Sequence, residues 1–271
     1  MRARRITAVA TGAVLVLASA LSAHDLFIKL DTYFLSPGAA VRVPVINGTF
    51  TKSENAIDRH RIADLSLVTP GGRESLDTSI VSAQGDSTFL ALRLRGAGTY
   101  VVGLSTRQSE ISLAGKQFTA YLEDEAIRDA LAARAKAGIS GDSAYERYSK
   151  HVKAVFQVGD ARTDGFATPL GYPAELVALD NPYRLGPGGT LRVRCLVDGR
   201  PAAGLAVLAG GRTRAGARIR AQELRTDADG VVAVRLTTRG RWYAKFVRME
   251  KVQDGPHDYE SRWATLTFEV R

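Results

Sequence analysis

The sequence predicts a mainly β protein made of two β-sandwich domains with a helical insertion between them. Short runs in which apolar and polar residues alternate recur along most of the 271-residue chain, and clusters of turn-forming residues separate them. One stretch near the middle changes to helical spacing. The chain has a single cysteine, Cys195, so we expect no intramolecular disulfide and a fold stabilised by apolar burial.

The first predicted domain covers residues 24–118. Its alternating runs are residues 40–45, 65–68, 88–94 and 99–104. Asn47-Gly48 follows the first run, and this dipeptide is typical of a tight turn. The second predicted domain covers residues 174–271 and has about seven such runs, with Asp198-Gly199 as a hairpin turn.

The predicted helical insertion covers residues 119–157. Small and apolar residues recur at helical spacing across residues 121–137, and Gly138 ends the run. Aromatic and apolar residues then predict a second helix over residues 144–155. Residues 158–173 contain several Gly and Pro residues and are interpreted as the linker to the second domain.

Residues 1–23 have the three parts of a secretory signal peptide. Three arginines among the first five residues precede an apolar run, and small residues end the segment. Cleavage after Ala23 would make His24 the first residue, whereas cleavage after Ala20 would leave three residues ahead of it. We therefore expect a periplasmic or secreted protein with no integral membrane segment after signal removal.

The net charge is +9, from 37 basic and 28 acidic side chains. Removal of the signal would leave 34 basic side chains, spread along the chain apart from one cluster of arginines: Arg212, Arg214, Arg218 and Arg220. We interpret this cluster as a solvated basic face, with contact to anionic envelope lipid or polymer as the alternative. An exported protein of this charge is not expected to bind nucleic acid.

The candidate chemistry is metal binding centred on His24. A free α-amine and an imidazole on one residue can chelate a metal ion, and the adjacent Asp25 adds a carboxylate. His151 and His257 are the candidates for a further ligand, whereas His60 lies in a charged loop and is interpreted as solvated. No G-x-S-x-G or Walker-type motif occurs, so a binding protein rather than an enzyme is favoured.

Two resemblances add to this interpretation. The turns at residues 198–201, 226–230 and 240–243 resemble those of prealbumin-like and carboxypeptidase-regulatory-like sandwiches, and both domains are expected to be immunoglobulin-like or prealbumin-like. Other segments resemble the domain-of-unknown-function family DUF4198, often described as NikM-like: residues 23–25, 146–150, 181–183 and 260–268. That resemblance implies a periplasmic protein that captures nickel or cobalt for an inner-membrane transporter.

Two other functions stay open at this point. The amino-terminal His24 is also similar to the histidine of copper-dependent oxidative polysaccharide enzymes, which implies an enzyme with copper as cofactor. Alternatively, the sandwiches form a structural module that binds carbohydrate or protein without a metal. The exact cleavage site decides whether the amine of His24 is available for metal capture or for the copper enzyme.

Overall fold

A computed structural model describes residues 24–253 and 255–271 of the chain. The predicted signal peptide lies outside these residues. The described part is mainly β and sandwich-like, which confirms the predicted fold class. Its strands are β1 (Asp25–Ile28), β2 (Phe34–Leu35), β3 (Ala40–Thr49), β4 (Lys52–Ser53), β5 (Ile62–Thr69), β6 (Gly72–Ser75), β7 (Val81–Gln84), β8 (Ser87–Arg93), β9 (Gly98–Thr106), β10 (Ser109–Leu113), β11 (Ala144–Val158), β12 (Ala174–Ala178), β13 (Thr190–Val197), β14 (Arg200–Pro201), β15 (Ala206–Arg212), β16 (Arg218–Arg225), β17 (Val231–Arg235), β18 (Gly240–Lys251) and β19 (Tyr259–Val270).

Two α-helices, α1 (Gly115–Asp124) and α2 (Arg128–Lys136), lie between β10 and β11. Short 3-10 helices occur at Arg59–Arg61, Thr78–Ile80, Asp164–Ala167 and Pro182–Arg184. Neither α-helix has the length and apolar character that crossing a membrane would require, within the part of the chain that is described.

The described strands form three sheets. The largest has the order β16-β15-β18-β19-β11-β9-β5-β6, with β10 and β2 also paired to β11. A second sheet has the order β1-β3-β8-β7 with β4 beside β3, and a third has β12-β13-β14 with β17 beside β13. All pairings are antiparallel except those of β11 with β19 and with β2, which are parallel.

The large sheet is the middle layer of the molecule, because its two faces contribute to different cores. On β11, Val152, Ala154 and Phe156 pack with β1, β3 and β8 of the second sheet. Val155 points the other way and packs with β12, β13 and β17 of the third sheet. Alternation along a strand sends neighbouring side chains to opposite faces, so one strand supplies both cores. The sequence division into domains at residues 119–173 stays a prediction.

The second predicted helix, over residues 144–155, is wrong. This segment is β11, which pairs with β9 and β10 on one side and with β19 on the other. Residues 149–158 are all buried, so apolar side chains occur at consecutive positions and the period of two is lost. The run predicted as one helix over residues 121–137 is two helices, interrupted at Ala126 by a left-handed backbone with φ of 55°.

The expected turn at Asn47-Gly48 is also wrong. Both residues belong to β3, where Asn47 pairs with Leu26 and Gly48 with Asp25 of β1. A Cβ on Gly48 would lie 2.4 Å from the carbonyl oxygen of Lys52, so the glycine allows β4 to approach closely. This pairing holds the first described strand in place.

One ion pair lies inside the core between the large sheet and the third sheet. Lys153 of β11 and Glu175 of β12 are 2.8 Å apart, and both side chains are almost completely buried. The Glu175 carboxylate also accepts hydrogen bonds from the amides of Leu170 and Gly171, at 2.6 and 3.0 Å. Glu175 therefore connects β11 to the segment that leads into the third sheet.

We expect Lys153→Met to lower the free energy of unfolding by about 3–5 kcal/mol, because it leaves a buried carboxylate without its cation. Arg192→Met is the matched control, since Arg192 forms an ion pair with Asp180 in which its side chain is 59% exposed. That change should cost less than about 1 kcal/mol. If chemical denaturation shows the same loss of unfolding free energy for Lys153→Met and Arg192→Met, the role given to burial is contradicted.

Candidate functional site

His24 lies directly before β1, at the edge of the second sheet. Its Nε2 atom is 3.1 Å from Oε2 of Glu54, which follows β4. The pairing of β1 with β3, and of β3 with β4, brings these two residues together. The His24 side chain is 18% exposed and therefore still reachable from solvent.

Asp25, the next residue, belongs to a buried group of charges. Its Oδ2 atom lies 2.6 Å from Nζ of Lys245 on β18, and the same ammonium lies 2.8 Å from Oε1 of Glu125 after α1. Burial alone would lower the pKa of Lys245, but the two carboxylates raise it above its usual range. Burial and the charge of Asp25 raise the pKa of Glu125 to about 7. The other oxygen of Asp25, Oδ1, is buried without a hydrogen-bond partner in the described structure.

A second lysine contacts the backbone at the same point. Lys150 of β11 donates a hydrogen bond from Nζ to the carbonyl oxygen of His24, and lies 3.3 Å from Oδ1 of Asn47. Burial lowers the pKa of Lys150 to about 8, against the opposite influence of Asp25. Three contacts thus hold the start of β1: Lys245 with the Asp25 side chain, Lys150 with the His24 carbonyl oxygen, and the strand pairing with β3.

Beside His24 lies a cavity of about 600 Å³. Its aromatic side chains are Phe27, Phe50 and Tyr243, whose ring centroids are 5.0 to 5.5 Å apart. Asp25 and Glu54 also line this cavity on the side of His24, and Arg212 and Arg218 line it elsewhere. We call this space the His24 cavity.

His151 is not near these residues in the fold, because its side chain leaves β11 on the face opposite to that of Lys150. Its ring nitrogens lie 2.9 Å from Oγ of Ser105 and 3.0 Å from Oγ of Ser149. Burial, and secondarily the charge of Arg262, lowers the pKa of His151 to about 4. The residue lines a different cavity, of about 530 Å³, and is neutral at physiological pH.

His257 occupies a third location. Its Nε2 atom lies 2.9 Å from Oε1 of Glu110 on β10, and its ring stacks on Tyr145 with centroids 4.5 Å apart. Hydrogen bonds from Tyr145 and then His257 lower the pKa of Glu110.

Of the four predicted site residues, the structure brings together His24 and Asp25 and places His151 and His257 apart from them. Within residues 24–253 and 255–271, no three His, Cys, Asp or Glu side chains form an arrangement that could hold a metal ion. The sequence reasoning missed Glu54, Lys150 and Lys245. Glu54 lies in a short polar loop with no distinguishing motif, and Lys150 was assigned to a helix.

The buried neutral state of His151 predicts a pH effect on stability. Its folded pKa lies below the ordinary value of 6.5, so its contribution is present above pH 6.5 and is lost as pH falls towards 4. We expect the difference in unfolding free energy between wild type and His151→Gln to shrink by about 3 kcal/mol over that range. His60→Gln, at an exposed ring, controls for the loss of one histidine from the unfolded chain. Urea unfolding at several pH values measures this, and a constant difference would contradict it.

Several solved structures match the chain at low similarity. Native α2-macroglobulin from Escherichia coli, domains MG0-NIE-MG1, is 12% identical with a TM-score of 0.21, over 92% of this chain and 64% of that one. Its NIE-MG1 portion is 12% identical with a TM-score of 0.19, over 87% and 95%. Titin domains A168–A170 are 8% identical with a TM-score of 0.20, over 89% and 64%. The chain thus spans less than two thirds of the first of these structures, and scores this low carry no argument about function.

No curated protein matches the chain. A family model does match, that of the domain of unknown function DUF4198, over residues 21–250. This match includes the start of β1 with His24 and Asp25, all of β11, β18 except its last residue, and the buried lysines that contact the site. The chain therefore belongs to the DUF4198 family.

Proposed function

We propose that the protein is exported, that its signal peptide is removed after Ala23, and that the new amino terminus binds a transition-metal ion. The observation that carries the proposal is the 3.1 Å contact between Nε2 of His24 and the carboxylate of Glu54. Asp25 and the His24 cavity lie at the same place.

The Glu54 contact selects which nitrogen of His24 is free. A carboxylate accepts a hydrogen bond from Nε2–H, so the neutral ring keeps its lone pair on Nδ1. Nδ1 and the α-amine of the same residue are spaced to close a chelate ring around one ion. Metal-binding histidines characteristically donate their other ring N–H to a carboxylate, which orients the ring and raises its basicity. His24 and Glu54 fit this arrangement.

Asp25 adds an oxygen ligand to the proposed site. Lys245 engages its Oδ2 atom, whereas Oδ1 is buried and has no hydrogen-bond partner in the part of the chain that is described. A buried polar atom without a partner is costly, and a cation near it would remove that cost. Amine, imidazole and carboxylate together suit nickel, cobalt or copper in the divalent state.

The role that fits this site is capture of a metal ion outside the cytoplasm. One residue supplies two of its ligands and few protein groups surround the ion, so binding would be reversible and the ion could pass to a transporter in the inner membrane. His151 and His257 are left out of the proposed ligand set because they lie in other parts of the fold.

The first test fixes the amino terminus and then the metal. Intact mass of the protein from the periplasm should correspond to a chain starting at His24. Calorimetry with Ni²⁺, Co²⁺ and Cu²⁺ should show binding at about micromolar Kd or tighter. His24→Ala and a variant with one alanine added before His24 should both lose it, because each removes one half of the chelate. A mature chain starting at Leu21, or full affinity in either variant, would overturn the proposal.

A second test examines the supporting carboxylate. Glu54→Ala should weaken metal affinity by about 10- to 100-fold, as removal of a ligand's hydrogen-bond partner does elsewhere. The matched control is Glu110→Ala, because Glu110 makes the corresponding contact with Nε2 of His257. If the control weakens binding and Glu54→Ala does not, the ion is held at His257 instead.

A further inference from the structure

A row of arginines crosses the sheet on the face that carries the His24 cavity. Arg218 of β16 is directly opposite Arg212 of β15, and Arg212 is directly opposite Arg241 of β18. Adjacent strands are about 4.8 Å apart, so the three cationic side chains start from neighbouring positions on one face. Like charges at directly opposed positions destabilise a sheet.

None of these three arginines forms an ion pair within the described residues, although Glu269 of β19 lies directly opposite Arg241. Their side chains make one hydrogen bond between them, from Arg212 to the carbonyl oxygen of Gly216 at 3.3 Å, and no ion pair. The carboxylates that line the cavity are already engaged, Glu54 by His24 and Asp25 by Lys245. Arg212 and Arg218 therefore line the His24 cavity without an ion-pair partner among the described residues.

Lys29 adds to this charge. Its ammonium donates to the carbonyl oxygen of Phe50 at 2.9 Å and lies 5.1 Å from the centre of the Phe50 ring. Burial, followed by the charge of Arg241, lowers the pKa of Lys29, against the opposite influence of Asp31. Phe50 is one of the aromatic residues that line the His24 cavity, so Lys29 lies beside that cavity.

The cavity beside His151, of about 530 Å³, differs in this respect. There Arg73 pairs with Asp64 at 3.2 Å, and Arg262 pairs with Asp198 at 2.6 Å. Both arginines that line this cavity therefore have carboxylate partners, and its third carboxylate, Glu260, also lies 3.2 Å from Arg262. Arg162, which lines a third cavity of about 570 Å³, donates hydrogen bonds to backbone carbonyl oxygens instead.

We infer that the His24 cavity binds a small di- or tricarboxylate, with its carboxylates against Arg212 and Arg218. Arginine side chains form strong charge-assisted hydrogen bonds with carboxylates. A volume of about 600 Å³ lies within the range of small-molecule sites.

The same anion can bind as a complex with the metal ion, and this part of the inference rests on the proposed function. A metal ion held by the amine and imidazole of His24 keeps open coordination positions, and carboxylate oxygens can fill them. The ligand would then be a metal–polycarboxylate complex, held at one end by His24 and at the other by the arginines. The arginines would contact the free anion and its metal complex through the same carboxylate groups.

The experiment uses calorimetry on the mature chain with three probes: citrate alone, Ni²⁺ alone and the Ni²⁺–citrate complex. We expect citrate to bind the wild type, with an affinity that falls as NaCl is raised. Arg212→Gln/Arg218→Gln should weaken citrate binding by about tenfold or more and leave Ni²⁺ alone unaffected. Arg200→Gln/Arg235→Gln, which removes two exposed arginines on β14 and β17, is the charge-matched control and should bind citrate like the wild type.

Folding is checked by thermal unfolding. Arg212→Gln/Arg218→Gln removes an opposed pair of like charges, so its melting temperature should equal or exceed that of the wild type. Loss of citrate binding in a variant of undiminished stability supports the site.

The outcomes separate this inference from the proposed function. Citrate binding that depends on the arginines and survives His24→Ala supports the anion site even if Ni²⁺ does not bind. Binding of Ni²⁺ that depends on His24, with no citrate affinity in either the free or the metal-bound form, overturns the inference and leaves the metal site standing. Equal citrate affinity in Arg212→Gln/Arg218→Gln and the wild type also overturns it.

Discussion

The structure depends on β11 being buried on both faces at the centre of the large sheet. Its parallel ladder to β19 joins strands from the two halves of the chain, and its alternating side chains enter two separate cores. A strand without a solvent face has to satisfy every polar side chain internally. Lys153 does so with Glu175, and His151 does so with two serines.

The same constraint positions the candidate site. Lys150 of β11 and Lys245 of β18 extend from the large sheet to the first residues of β1, one to the His24 carbonyl and one to the Asp25 carboxylate. Burying two ammonium groups is costly, and the surrounding acceptors offset that cost only when β1 lies in this position. The large sheet therefore sets the location of His24, although His24 directly precedes β1 of the second sheet.

The ion pairing of the lining arginines distinguishes the His24 cavity from the cavity beside His151. Around His151 both lining arginines form ion pairs with carboxylates. Around His24 the lining arginines Arg212 and Arg218 form no ion pair in the described structure, and they lie directly opposite each other on β15 and β16. Cross-strand repulsion of this kind persists in a stable sheet only because the burial elsewhere exceeds it, and it leaves a field that attracts anions. Of the four arginines that cluster in the sequence, Arg212 and Arg218 line the His24 cavity, whereas Arg214 forms an ion pair with Glu269.

From the sequence by itself one could predict the β-sandwich class, the α1–α2 region and His24 with Asp25 as residues of interest, because local periodicity and residue chemistry carry that information. Tertiary structure alone decided that residues 144–155 are a central strand and that Asn47-Gly48 continues β3, since pairing with distant strands overrides local signals. It also decided the partners of each candidate ligand. Glu54 meets His24 and Ser105 meets His151 only through sheet pairing between separated segments, which no local pattern encodes.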